Sequence, residues 1–165
     1  MSKTTDNLQA AFAGESQANR KYLAFAKKAD EEGYHAAARL FRVAAHAETI
    51  HAHNHFRVLA GVKSTAENLQ VAIEGENYEN TTMYPNFIAE AETEGEKRAI
   101  TSFRWASDVE KIHEELFRKA LADLSKETKT LEYYVCPICG YVHIGGVPDK
   151  CPVCNTPGER FEKVD

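Results

Sequence analysis

From residue 4 to about 127 the apolar positions recur with helical spacing, set among Ala, Glu, Leu, Lys and Arg, the residues that favour helix. Four long helices are predicted, at about 4–32, 35–60, 66–94 and 96–127. The breaks between them fall at Gly33, at Gly61-Val62-Lys63-Ser64 and at Gly95. Ser64 or Thr65 can cap the third helix, with Glu67 and Asn68 behind it. Pro85 lies inside that helix and is expected to kink it, because its ring removes one backbone donor. Gly and Pro are scarce before residue 130 and clustered after it, so the helical part gives way to a small irregular module.

The helical part repeats itself. Phe41-Arg42-x-Ala44-x-x-x-Glu48-x-Ile50-His51 returns as Phe103-Arg104-x-Ala106-x-x-x-Glu110-x-Ile112-His113, 62 residues later throughout. Upstream, Gly14-Glu15 matches Gly75-Glu76 at a spacing of 61. After one inserted residue, Tyr22 matches Tyr84, Phe25 matches Phe87 and Gly33 matches Gly95. Helices one and two therefore read as a copy of helices three and four.

The chain has 165 residues and a net charge of −5, which argues against a nucleic-acid backbone as the main partner. Its first residues, MSKTTDNLQA, contain no apolar leader, and no run approaches the roughly 18 apolar residues of a membrane span. A soluble, cytoplasmic protein is expected, with domains at 1–130 and 131–165. All four cysteines lie between residues 136 and 154. In a reducing compartment, two C-x-x-C pairs read as one metal site rather than as disulfides.

Glu-x-x-His puts both side chains on one helix face. Carboxylate oxygen with imidazole nitrogen suits iron, manganese or zinc. The motif alone is weak, and Glu32-x-x-His35, straddling Gly33, fits it by chance. The repeat gives the other two copies their weight. Glu15 lies 18 residues before Gly33 and His51 lies 18 after; Glu76 lies 19 before Gly95 and His113 lies 18 after. At about 1.5 Å per residue, each Glu meets its Glu-x-x-His partner at one height. Two such hairpins gather Glu15, Glu48, Glu76 and Glu110 with His51 and His113, the donor set of a di-iron carboxylate bundle. Four packed carboxylates require compensating cations. Two divalent metals supply them, whereas Arg42 and Arg104 offer too few positive charges for an all-protein network.

Glu79 follows Glu76 by one turn and has Ala18 as its counterpart, so position alone leaves it either an inward carboxylate or a solvated one. His46, His53 and His55 have no repeat partners and read as surface residues. Glu90, Glu92, Glu94 and Glu96 read as a solvated charge run. Tyr22 and Tyr84 are duplicated near the first glutamates and are candidate donors to metal carboxylates. Phe25, Phe41, Phe87, Phe103 and Trp105 are assigned to the core. In the C-terminal module, Cys136, Cys139, Cys151 and Cys154 form two knuckles around one centre. Tetrahedral sulfur suits iron or zinc; the Cys-Gly-Tyr sequence and the redox-capable pair in the same chain favour iron.

With both sites in hand, the chain closely resembles the rubrerythrin family over nearly its whole length. The motifs are Gly14-Glu15-Ser16, the two Glu-x-x-His segments, Gly75-Glu76-x-x-Glu79, Met83-Tyr84-Pro85, and Cys-x-x-Cys-Gly-Tyr-Val-His followed by Cys-Pro-x-Cys. The resemblance implies a ferritin-like four-helix bundle with a C-terminal rubredoxin-like domain, and reduction of hydrogen peroxide to water. It implies bridging roles for Glu48 and Glu110, one iron on Glu76 and His113, and the other on Glu15 with Glu79 or His51 according to oxidation state. It also makes Tyr22 and Tyr84 partners of the metal carboxylates. Electrons would come from rubredoxin or an NAD(P)H-dependent reductase, since no G-x-G-x-x-G fingerprint is visible. Iron storage with ferroxidase chemistry and dioxygen reduction are the alternatives.

One departure concerns the link between helices two and three. Some relatives run a long connection back along the bundle, whereas here about five residues, Gly61 to Thr65, join them. Five residues reach at most about 18 Å, and a helix of some 27 residues is about 40 Å long. The expectation is a homodimer that exchanges hairpins; a monomeric up-down-up-down bundle is the other arrangement the ligand heights permit.

Overall fold

The structure, a computed structural model, describes residues 2–126 and 131–164. The last predicted residue of the fourth helix, 127, and the expected domain boundary at residue 130 lie outside the described residues. Helices α1 (Lys3–Glu31) and α2 (His35–Val58) come first, then α3 (Thr65–Tyr78), a π-helix (Glu79–Met83), α4 (Tyr84–Glu94) and α5 (Lys97–Asp123). Three short strands close the chain: β1 (Tyr133–Val135), β2 (Val142–Ile144) and β3 (Glu162–Val164). They form one antiparallel sheet in the order β2-β1-β3. Two compact units result, Met1–Lys63 and Ser64–Asp165.

Each helical hairpin turns on the same device. Gly33 and Gly95 take the left-handed conformation, with φ of 81° and 75°, which a glycine adopts without a Cβ penalty. The following amide then donates back into the helix just ended, Tyr34 N–H to Ala29 O at 2.8 Å and Glu96 N–H to Ala91 O at 2.9 Å. A charged pair straddles each turn: Arg42 binds Asp30 at 2.7 Å, and Arg104 binds Glu92. These pairs are 62 residues apart, so the duplication extends to contacts that the motif did not reveal. Both arginines are committed to the turns, not to the clustered glutamates.

In the first unit α1 and α2 meet along a seam of buried alanines, Ala26 and Ala29 against Ala38, Ala45 and Ala52. The spacing of seven in α2 keeps one narrow stripe on the partner helix. Asn19 crosses the hairpin from α1, donating to Ala45 O at 2.7 Å and to Thr49 Oγ1 at 2.8 Å. Ser64 caps α3 with a full capping box, its hydroxyl accepting from Glu67 N–H while the Glu67 carboxylate accepts from Ser64 N–H.

The third predicted helix is not one helix. Its middle, Glu79–Met83, widens to a π-helix, and α4 restarts with Pro85 in its first turn. A π turn takes one more residue than an α turn, which accommodates the single insertion separating the two halves of the repeat. Pro85 needs no bent α-helix, because the first turn of a new helix is where a missing N–H leaves no bond unmade.

Candidate metal centres

In the first unit, α1 supplies Glu15 and α2 supplies Glu48 and His51. His51 Nδ1 lies 2.9 Å from Glu48 Oε2 and 3.9 Å from Glu15 Oε1. In the second unit, α3 supplies Glu76 and α5 supplies Glu110 and His113. There His113 Nδ1 lies 2.7 Å from Glu110 Oε2 and 4.0 Å from Glu76 Oε1. The agreement of these distances shows that the repeat is one of geometry. In each triad one ligand atom per residue falls within 4.8 Å of the others, close enough to share an ion. The discounted pattern at the turn behaves differently: Glu32 pairs with Lys28 and His35 with Asp30.

The acids of the second triad repel one another. Burial first, then the hydrogen bond to Glu110 and the charges of Glu110, Glu79 and Glu114, push Glu76 up to about 7. Burial and the Glu110 charge also raise Glu79, partly offset by His113. Glu79 thus lies in the field of the triad without being one of its three clustered donors. Tyr84 is raised by burial and by Glu79, Glu110 and Glu76, which places its phenol among the same carboxylates. Its ring packs on Phe87 and Phe103, as Tyr22 packs on Phe25 and Phe41. Within their own hairpins Phe25 and Phe87, assigned to the core, are 48 % and 40 % exposed. Glu114 was not anticipated. It lies beside His113 in sequence, accepts from Arg118 and Asn77, and its charge helps to raise Glu76.

The four cysteines converge as predicted. Cys136 and Cys154 have their sulfurs 3.5 Å apart, as do Cys139 and Cys151. That is far beyond the roughly 2.05 Å of a disulfide and near the roughly 3.8 Å edge of a sulfur tetrahedron built on bonds of about 2.3 Å. Cys136 and Cys151 are buried, with Phe161 against them and Tyr134, Tyr141 and Val153 around them. Burial pushes the Cys139 and Cys151 thiols up. At Cys154 burial acts the same way, but hydrogen bonds from Thr156 and the neighbouring thiols outweigh it and bring the group down to about 6. The clustered acids and the sulfur tetrahedron both fit metal ions.

Residues 6–121 match the family model described as Rubrerythrin, and residues 134–162 match that described as Rubrerythrin, rubredoxin-like domain. This chain belongs to the rubrerythrin family. It is 40 % identical to Rubrerythrin of Porphyromonas gingivalis over 99 % of this chain and 90 % of that one. It is 38 % identical to Nigerythrin of Nitratidesulfovibrio vulgaris, covering 96 % and 85 %, and 36 % identical to Rubrerythrin-2 of Clostridium acetobutylicum, covering 96 % and 95 %. Among solved structures, the partially reduced state of nigerythrin matches with a TM-score of 0.60 at 37 % identity, over 99 % of this chain and 88 % of that one. Family membership makes the protein an oxidoreductase of ferritin-like, mainly helical class that carries the groups of a di-iron site and a rubredoxin-like four-cysteine site, in keeping with a role in oxidative stress. Among the described residues no helix is long and apolar enough to cross a membrane.

Proposed function

We propose that this rubrerythrin reduces hydrogen peroxide to water, with electrons entering from rubredoxin or an NAD(P)H-dependent reductase and passing through its own cysteine-bound iron. The observation that carries this reading lies in the second unit. The first cysteine knuckle rests on α5 beside the second triad: a Cβ at Gly140 would stand 3.9 Å from Val109 Cγ1. Val109 is 2 % exposed and directly precedes Glu110. An electron-carrying site so placed serves a redox reaction and has no evident task in iron storage.

In this reading Glu48 and Glu110 would be shared by two irons, Glu76 and His113 would hold one, and Glu15 with Glu79 or His51 would hold the other. Iron bound there would supply the electrons that peroxide reduction consumes, and iron held by the four cysteines would replace them. Glu76 gives up its proton when metal enters, so metal binding and proton release are one event. The Tyr84 hydroxyl, kept protonated by burial and by the acids around it, would be available to donate to the metal carboxylates; Tyr22 takes the matching place in the first hairpin. The π-helix gives Glu79 a backbone less constrained than a regular α turn, which suits a ligand that changes partners. We place the protein in the cytoplasm and its domain division at 1–130 and 131–165.

Each hairpin holds one half of the donor set and, taken by itself, leaves large apolar residues exposed, among them Leu40, Val43 and Ile50 in the first and Val71 and Tyr78 in the second. With only six residues, 59–64, between α2 and α3, we propose that two chains exchange hairpins to complete each site. Sedimentation at nanomolar protein gives a dimer on this reading; a stable, fully metallated monomer rules the exchange out. The activity itself is tested by mixing the fully reduced protein with peroxide and, separately, with dioxygen. Oxidation by peroxide is expected to be much the faster; equal rates would favour a dioxygen-reducing oxidase.

A further inference from the structure

The two cysteine knuckles run the same course. The first cysteine of each donates its N–H to the carbonyl of the sixth residue, Cys136 to Tyr141 at 2.9 Å and Cys151 to Thr156 at 2.8 Å. The N–H of the fifth residue returns to the carbonyl of the first, Gly140 to Cys136 and Asn155 to Cys151, both at 3.0 Å. That fifth residue is left-handed in each, with φ of 83° at Gly140 and 61° at Asn155. The main chain therefore presents the two halves of the tetrahedron with matching amides. The side chains of the sixth residues differ. Tyr141 directs its ring toward Phe161 and His143. Thr156 is 7 % exposed, and its Oγ1 stands 3.0 Å from Cys154 Sγ.

A hydroxyl can donate or accept, but a metal-bound cysteine is a thiolate and can only accept. The bond therefore runs from Thr156 Oγ1–H to Cys154 Sγ. Reducing an iron held by four thiolates adds one electron to a site that is already anionic. A hydrogen bond to sulfur strengthens as that sulfur becomes more negative, so it stabilises the reduced form more than the oxidised one. Cys154 itself is half-buried, but the donor beside it is buried and Cys136 and Cys151 of the same shell are 1 % and 0 % exposed, so the bond is little screened by water.

We propose that Thr156 sets the reduction potential of the cysteine-bound iron, its hydroxyl making that iron easier to reduce. The inference rests on the reading of this site as iron, and it makes the second knuckle the tuned half of the site. Thr156 acts through Cys154 as a positioning residue for charge.

The test is a spectroelectrochemical titration of the cysteine-bound iron in the full chain, comparing wild type with Thr156→Val and Thr156→Ser. Valine keeps the shape of threonine and removes the donor. It is expected to lower the equilibrium constant for reduction about tenfold, a fall of about 59 mV for one electron, and to move the thiolate-to-iron absorption band to longer wavelength. Serine restores the donor and is expected to restore both values. A valine variant at the wild-type potential overturns the proposal. So does an equal fall in both variants, which would mean that packing and not the hydroxyl is responsible. A wild-type protein that binds no redox-active iron in this site overturns the iron reading as well and is recognised by the missing ferric-thiolate band.

Discussion

His51 of the first hairpin is 53 % exposed, whereas His113 of the second is 27 % exposed, although the two stand at nearly the same distances from their glutamates. The donor geometry is duplicated but its surroundings are not. The second hairpin adds Glu79 where the first has Ala18, adds Glu114 nearby, and carries the π turn that takes up the extra residue. Its acids therefore hold a proton that metal must displace. The comparison teaches that a repeat can preserve ligand positions while loading one half with the groups that respond to charge. On this account metal entry displaces a proton from the second hairpin, and the proposed ligand exchange pairs its Glu79 with His51 of the first.

The strongest way to break the comparison is to remove from either half the acid proposed to be shared by both irons. Glu48→Ala and Glu110→Ala are both expected to empty the carboxylate site and lower peroxide-dependent oxidation at least about 100-fold, since even outer partners of metal ligands are worth 10- to 100-fold. Iron analysis and stopped-flow oxidation check this, and an iron-replete variant of either kind would show that the two halves are not equivalent holders.

Glu79→Ala makes the second half resemble the first. It is expected to retain iron but to slow oxidation about tenfold or more, whereas Ala18→Glu should leave the rate nearly unchanged. Matching effects from the two substitutions would erase the proposed division of labour.

The proton held by Glu76 gives a further handle. With its carboxyl near 7, one proton competes with metal, so affinity for a probe such as Mn²⁺ should be about tenfold weaker at pH 6 than well above neutrality. The sign for folding is opposite. A raised carboxylate contributes stability that is complete below its ordinary value of 4.5 and lost as the pH rises through about 7. The metal-free chain should therefore lose this contribution between those limits and regain stability on adding metal. The exposed acids Asp30 and Asp123, lowered by Arg42 with His35 and by Lys126 respectively, work the other way; Glu76→Gln isolates the part due to Glu76. The smallest effect is expected at the start of the second hairpin, where Ser64→Ala removes the capping box at a cost of about 1 kcal/mol, read by thermal melting with iron content unchanged.

Much of this was legible in the chain because ligand chemistry obeys spacing. The repeat gave the helices, the turns at Gly33 and Gly95, and all the donors that converge in each triad. It also located one inserted residue between Glu76 and Tyr84. The form of that insertion was not legible, since a helix can absorb an extra residue in several ways, and the expected kink at Pro85 turned out to be a π turn just before it. Position alone left Glu79 open, and only the family resemblance assigned it as a ligand, because facing the triad depends on helical phase, which the π turn alters. Thr156 and the seating of Gly140 against Val109 left no periodic signal, because each depends on contacts made only once the cysteine knuckles are folded.

Anaerobic titration of the metal-free chain with ferrous iron tests the central claim most directly. If the two triads are halves of one centre, uptake saturates at about two irons per chain beyond the one in the cysteine site, and on oxidation those two are magnetically coupled as a pair. Saturation at the cysteine site alone, or two further irons that show no coupling, would contradict it.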